Sequence, residues 1–348
     1  MRILVVDPGI DFSVGDVYRG LVKGLIATGN HVATFSATEK VNAFSAAHIK
    51  PDDGDLRLMW SVPDVINITN PMLRGAVLDC DPDLVIVVSG FFINDITLKV
   101  LRARGKKVVA VMTEQPYELT RELRLASKVD GVALNDPTHI DLFRERCPNV
   151  WYQPHAFDPD IHFPGTGAKA FDAWWCGTGY ESRRIWLEAA VNDPRWPAHA
   201  TLGLAGNWQG LDDQPDSPLH RFLVDRDHTE SCVKNTDTAD GYRAAGMSWN
   251  TYRKEAETAD LTEGWAMGPR EVELAACETF FARESRPEGD ALFPMLPIID
   301  DPREFGDVLR WSIDNPEARA DAALKAREAV ADRTFDRTAA ELLRHSGY

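Results

Sequence analysis

The chain has 348 residues, 44% of them hydrophobic, and a formal net charge of −16. That length suits two domains, each able to bury its own core. The acidic balance repels nucleic acid and anionic membranes at long range, and no apolar run approaches the roughly 18 residues of a membrane span.

The N-terminal MRILVVDPG is too short in its apolar part for a secretory signal and reads as a first strand, Arg2–Asp7. Val14, Val17, Leu21, Val22 and Leu25 recur at helical spacing over Val14–Ala27, and Gly29-Asn30 ends that helix. His31–Phe35 is the next strand. Leu84–Ser89 is apolar on both faces, as a strand buried in a parallel sheet must be, and Lys107–Met112 and Gly131–Leu134 repeat the pattern. Residues 154–172 hold three prolines and two glycines without periodicity, as a linker does. The alternation then restarts. Strands are expected at Ala173–Cys176, Ala200–Ala205, Met247–Tyr252, Thr279–Ala282 and Pro297–Asp300. Helices are expected from about Ser182, over Thr238–Ala245, from Pro269, and from Pro302 onward with breaks near Pro316 and Thr334. Residues 207–236 are polar, a loop with one short helix. Strand-helix alternation with continuous apolar strands predicts an α/β fold of two Rossmann-like, doubly wound domains. Five cysteines (Cys80, Cys147, Cys176, Cys232, Cys277) lie far apart and never form CxxC. That points to reduced thiols in a cytoplasmic protein, with neither a disulfide framework nor a zinc site.

The stretch most indicative of chemistry is residues 247–285. Asn250, Arg253 and Lys254 cluster at the carboxyl end of an expected strand, where open α/β sheets bind ligands. Gly268-Pro269 starts a helix carrying Arg270, Glu271 and Glu273. A cation in a first turn opposes the helix dipole, so Arg270 there suits a nearby phosphate. Glu273, one turn on, can accept both hydroxyls of a ribose, although Arg270 is an alternative partner for it. Glu271 reads as solvated, with a possible contact to the same ligand. In GTGYESRR (177–184), Gly177 and Gly179 allow close backbone approach, Ser182 is placed to cap a helix, and Arg183 and Arg184 sit in its first turn. The third glycine of a dinucleotide fingerprint is missing, so no NAD site is expected. These features together suggest a nucleoside diphosphate site. His155, at the start of the linker, is placed to touch a phosphate or a sugar, or to serve as a structural hydrogen-bonder.

In the first half, Asp11 and Asp16 lie in the loop after the first strand and Glu114 in the loop after Lys107–Met112. Each is a candidate general base, and each equally suits turn or cap chemistry. Asp-x-Asp triplets at 81–83, 158–160 and 225–227, the last followed by His228, lack a full ligand set, so no metal is expected. The Trp174-Trp175 pair suits core or cleft wall rather than a nucleic-acid platform.

The segment Asn250-Thr-Tyr-Arg253 with Gly268-Pro-Arg270-Glu-Val-Glu273-Leu-Ala-Ala-Cys277 resembles the CgeB-like (spore maturation protein-like) glycosyltransferases of the two-Rossmann-domain GT-B superfamily. Weaker likenesses run through Asp7–Gly20, Thr113–Tyr117, Pro154-His155 and Glu288–Phe305. The resemblance implies that Glu273 holds the donor ribose and that Arg253, Lys254 and Arg270 meet the diphosphate, with phosphates approaching over Gly177 and Gly179. The group usually has Gly after the Cys, where Glu278 stands here. It further implies two domains facing across a cleft: 1–157 for the acceptor, a linker at 158–172, 173–331 for the donor, and a helix within 332–348 crossing back to the first domain. The expected activity is metal-independent transfer of a sugar from a nucleoside-diphosphate sugar, of which a UDP-sugar is the first choice, to a hydroxyl of a polysaccharide, protein, small molecule or hydroxymethylated DNA base. The acidic surface weakly disfavours nucleic acid, and no membrane insertion or separate cofactor is expected. Rivals are a non-catalytic sugar-nucleotide sensor or scaffold and a sugar-nucleotide epimerase of the same fold.

Overall fold

The computed structural model describes residues 1–9, 14–46, 48–49, 57–58, 60–103, 106–225, 233–256 and 263–348. The chain divides into two compact units. Met1–Pro154 with Phe335–Tyr348 forms the first, and His155–Thr334 forms the second. Residues 158–172, expected as a linker, fall inside the second unit.

In the first unit the elements run β1 (Arg2–Val6), α1 (Gly15–Ala27), β2 (His31–Phe35), α2 (Ala37–Ser45), the short antiparallel pair β3 (His48–Ile49) and β4 (Arg57–Leu58), α3 (Val62–Cys80), β5 (Leu84–Val88), α4 (Asp95–Ala103), β6 (Lys107–Met112), α5 (Leu119–Ala126), β7 (Gly131–Leu134), α6 (Ile140–Arg144) and β8 (Val150–Tyr152). The six-stranded sheet has the order β2-β1-β5-β6-β7-β8 and every pairing in it is parallel. All five residues of β5 are buried, as the unbroken apolar run requires. The strand β8 is an addition to the expected set.

The second unit carries β9 (Phe171–Cys176), α7 (Glu181–Asn192), β10 (Leu202–Ala205), α8 (Asn235–Ala244), β11 (Ala245–Asn250), α9 (Pro269–Ala276), β12 (Phe280–Arg283), α10 (Pro287–Leu292), α11 (Phe305–Asp314) and α12 (Pro316–Ala329). Its sheet has the order β10-β9-β11-β12, again parallel. Three differences from expectation have local causes. Ala245 begins β11 instead of ending a helix, and the strand stops at Asn250. The loop between β10 and α8 holds two 3-10 turns, Gln209–Leu211 and Pro218–Phe222, where one short helix was expected. Pro297–Asp300 forms only a single bridge, Ile298 to Arg283. Proline has no N–H to extend a ladder, so Arg283 N donates to Pro297 O and Ile299 N donates to Arg283 O, and the pairing ends there.

The last helix, α13 (Phe335–His345), packs on α1 within the first unit. Gly20 and Gly24, one turn apart on α1, leave the space it fills. A Cβ on Gly20 would lie 2.2 Å from the Phe335 ring, and one on Gly24 would lie 2.5 Å from the Phe335 carbonyl oxygen.

In each sheet the strand order reverses once, between β1 and β5 and between β9 and β11. Those switch points, at the carboxyl ends of the strands, are where open α/β sheets leave room for a ligand.

Candidate donor site in the second unit

The switch point between β9 and β11 is occupied by one guanidinium. Arg270, in the first turn of α9, donates from Nη2 to the Cys176 carbonyl oxygen at 2.7 Å and from Nε to the same oxygen at 3.2 Å. Its Nη1 donates to Asn250 Oδ1 at 2.7 Å. Cys176 and Asn250 are the last residues of β9 and β11, so Arg270 spans the two strand ends. The gap is narrow: a Cβ on Gly177, whose φ is +153°, would lie 2.4 Å from Arg270 Nη2 and 2.9 Å from the Trp175 ring.

Arg270 lies over the Trp175 ring at 4.4 Å, and Arg183 lies over the same ring at 5.4 Å. Arg183 is also 5.2 Å from the centre of the Tyr180 ring. Arg253 stands 5.5 Å from that ring and donates to the Tyr180 hydroxyl at 3.1 Å. Guanidinium and ring therefore alternate along a ladder: Arg253, Tyr180, Arg183, Trp175, Arg270. Three like charges held together favour an anion, and the ring faces offset part of their repulsion. Trp175 is itself fixed from below, with Trp249 stacked at 6.0 Å and Trp208 edge-on at 5.4 Å. The arginines are further fixed by backbone oxygens. Arg183 donates to Thr251 O at 3.1 Å and to Thr178 O at 3.1 Å.

Not every expected residue faces this ladder. Glu273 lies one turn beyond Arg270 on α9 and turns to buried partners of its own unit. Its Oε2 accepts from the Tyr242 hydroxyl at 3.5 Å, and its Oε1 stands 3.8 Å from His162 Nε2. Tyr242 is fully buried, and burial, then the nearby Glu273 charge, push its pKa well up. Glu271 is neither solvated nor at the surface: it is 0% exposed, and burial raises its pKa to about 7. Lys254 is exposed beside the ladder, and His155 is half-buried at the first residue of the unit. Gly177 and Gly179 make room for the chain's own side chains. A Cβ on Gly179 would meet the Trp208 ring at 2.4 Å. Ser182 does not cap α7. Instead the Glu255 carboxylate accepts from Ser182 N and Ser182 Oγ, each at 2.9 Å. Arg184 turns away from any anion site and donates to the Gly179 oxygen at 2.6 Å.

In the first unit, Asp16 pairs with Arg19 in the first turn of α1, and Glu114 is half-buried just after β6. Asp11 lies outside the described residues, as do Asp227, His228 and Cys232. Among the described residues no group of three or more His, Cys, Asp or Glu gathers to hold a metal ion. No helix there is long and apolar enough to cross a membrane.

The structure brings Asn250, Arg253 and Arg270 together, and it adds Tyr180 and Trp175, the latter expected only as core or cleft wall. The available signal was Arg183 with Trp175 and Tyr180 around one glycine-rich turn, WWCGTGYESRR.

The departure at Glu278 is also resolved. Glu278 has φ +54°, the left-handed conformation that ends helices and that glycine adopts without strain. Here the glutamate adopts it and pairs with Arg327 at 3.2 Å.

Residues 183–344, which contain most of this ladder, match a family model described as glycosyl transferase-like. Among solved structures, HepE from Anabaena in complex with UDP is 11% identical, with a TM-score of 0.62 over 99% of this chain and 100% of its own. A glycosyltransferase from Rickettsia africae is 10% identical, with a TM-score of 0.63 over 99% of this chain and 97% of its own. A putative UDP-N-acetylglucosamine 2-epimerase from Listeria monocytogenes is 11% identical, with a TM-score of 0.58 over 98% and 94%. Identities this low speak to the fold alone. The sequence has no significant match among curated proteins. Two parallel-sheet units share the fold of these structures, and the family match falls mainly on the unit that carries the guanidinium ladder.

Proposed function

We propose that the second unit binds a nucleoside-diphosphate sugar, a UDP-sugar first among the candidates, and that the enzyme passes the sugar to an acceptor hydroxyl. The observation that carries this is the placement of Arg270 across the ends of β9 and β11, over Trp175 and flanked by Arg183 and Arg253. As the bond from sugar to diphosphate breaks, the leaving oxygen gains negative charge. Fixed guanidiniums that need not reorganise stabilise that charge most strongly. This chemistry calls for no metal. Glu273 is the ribose carboxylate in this scheme, with Tyr242 and His162 holding it from behind. Lys254 and His155 are secondary contacts. Asp16 and Glu114, with Asp11, are the bases that would take the acceptor proton, and Asp16 must first leave Arg19 to do so.

Within the superfamily, Asn250, Arg270, Glu273 and Cys277 support placement in the CgeB-like group, and the left-handed Glu278 keeps the geometry that glycine usually serves. Among the described residues Cys80, Cys147, Cys176 and Cys277 form no disulfide, in keeping with the reducing, cytoplasmic setting proposed here.

Incubation with UDP-, GDP- and dTDP-sugars, with nucleotide and sugar followed separately, tests the scheme. Release of one nucleoside diphosphate with free or transferred sugar is expected. An altered sugar still joined to its nucleotide would reveal an epimerase. Tight binding without turnover would reveal a sensor, and no binding of any nucleotide would refute the assignment.

A further inference from the structure

Glu271 is the third residue of α9, and its two carboxylate oxygens are treated differently. Oε2 accepts three hydrogen bonds: from Gly268 N at 2.7 Å, from Asn250 Nδ2 at 3.0 Å and from the Tyr252 hydroxyl at 2.5 Å. Oε1 is buried without a hydrogen-bond partner among the described residues. Capping of Gly268 accounts for only one of these contacts. The bond to Asn250 does something else. A carboxamide has one donating end and one accepting end. With its NH2 turned to Glu271, Asn250 must present Oδ1 on the opposite side, where Arg270 Nη1 donates to it at 2.7 Å. The relay therefore runs from Glu271 through Asn250 to the guanidinium over Trp175. It survives protonation: three donors crowd Oε2, so a proton taken up by Glu271 goes to Oε1 and leaves Oε2 accepting.

We propose that Glu271 is a positioning residue of the donor site, setting through the Asn250 amide the orientation in which Arg270 meets the diphosphate. The inference rests on the assignment of Arg270 to the donor phosphates, and the experiment separates the two.

Affinity for UDP, GDP and dTDP is measured by calorimetry on the full chain, and the nucleotide that binds is carried through a set of variants. Arg270→Ala weakens binding by about thirtyfold and Glu271→Ala by about tenfold, the range of one charge-assisted and one orienting hydrogen bond. Glu271→Gln stays within about twofold, because its carboxamide oxygen replaces Oε2 as the acceptor for Asn250. Glu271→Ala added to Arg270→Ala produces no further loss, since its effect passes through that arginine. Asn250→Leu leaves the Gly268 cap intact and gives the same tenfold loss, which covers the case in which Glu271→Ala does not fold. A purely structural role would lower the melting temperature of Glu271→Ala and leave the affinity of the folded protein unchanged. That result, or a further loss in the Arg270→Ala background, or an unchanged Asn250→Leu, overturns the proposal. Unchanged binding by Arg270→Ala removes the donor assignment itself, and the proposal with it.

Discussion

The two units reverse strand order in the same way but place opposite charges at the carboxyl ends of their strands. Between β9 and β11 the space holds Arg270, with two more arginines stacked nearby. At the end of β1 in the first unit, on the β2 side, stands Asp7, which is buried and saturated by the chain itself. The Asp7 carboxylate accepts from Gly9 N at 3.0 Å, from Ser36 Oγ at 2.8 Å, from Ala37 N at 2.8 Å and from Thr38 N at 3.2 Å. Ala37 and Thr38 are the first residues of α2, so an internal anion already sits at that helix start. One fold plan thus yields two different sites. The first unit satisfies the anion site at its α2 helix start internally, and the second gathers Arg270, Arg183 and Arg253 around Trp175 and Tyr180. The difference supports the proposal that the second unit takes the diphosphate.

Removing Asp7 breaks the comparison most severely. Asp7→Ala leaves several buried donors without an acceptor and is expected to destabilise the protein by about 4–5 kcal/mol. Urea unfolding measures this. Nucleotide affinity of the remaining folded protein should not change, and a parallel loss of affinity would contradict the division of labour.

A second buried carboxylate sharpens the contrast through pH. Glu122 on α5 holds the loop after β6: its Oε1 accepts from Thr113 N and Glu114 N, and its Oε2 accepts from Gln115 Nε2 at 2.7 Å. Burial pushes its pKa up to about 8, against those hydrogen bonds. A raised carboxyl pKa means that the folded state keeps its proton while the unfolded chain gives it up. Stability is therefore fully present below the unfolded value of 4.5 and falls as pH rises to about 8. The loss is on the order of 4 kcal/mol, read as the shift in urea midpoint between about pH 5 and about pH 9. In Glu122→Gln that slope should shrink to the smaller one from Glu271, which ends near its value of about 7. An unchanged slope would show that Glu122 is ionised in the fold.

How much of this was legible in the sequence follows from the range of each contact. Parallel strands announce themselves, because both faces are buried and the apolar run is unbroken, as in Leu84–Val88. Arg270 and Asn250 were legible from a Gly-Pro helix start and a strand end only 20 residues apart. Trp175 was not. Adjacent Trp174 and Trp175 point to opposite faces of β9, and no local signal says which one meets the arginines. Trp174 in fact packs edge-on against Tyr242 at 5.5 Å. Glu122 in LTRELRLA looks like any solvated helix glutamate, since its burial is decided by the loop it holds. Ser182 looked like its own helix's cap because its true partner, Glu255, lies 73 residues further on.

Arg270→Ala comes next in size. It removes the cation at the switch point and should lower nucleotide affinity by about 10- to 100-fold, with a stability loss of about 1–3 kcal/mol as Cys176 O and the buried Asn250 amide lose their donor. Equal affinity in calorimetry would mean that the ladder serves packing alone.

The smallest effect has the opposite sign. Glu255 places in the second unit a miniature of what Asp7 does in the first: a carboxylate from the chain holds a helix start, here through Ser182 N and Ser182 Oγ. Burial works against its ionised form, but the bonds from Ser182 and from Lys254 N outweigh that and keep its pKa below the usual range. At neutral pH it is therefore a competing anion beside Arg183 and Arg253. Unlike Asp7, it is only partly buried, so a ligand phosphate can displace it. Glu255→Ala should accordingly raise nucleotide affinity by about two- to fivefold, the range of one partly screened charge at a helix start. In the wild type the same gain should appear as pH falls through the Glu255 pKa and the carboxylate is neutralised. Reduced affinity in Glu255→Ala would mean that Glu255 orders the ligand's side of α7 instead of competing for it. The second unit would then resemble the first more closely than its arginines suggest.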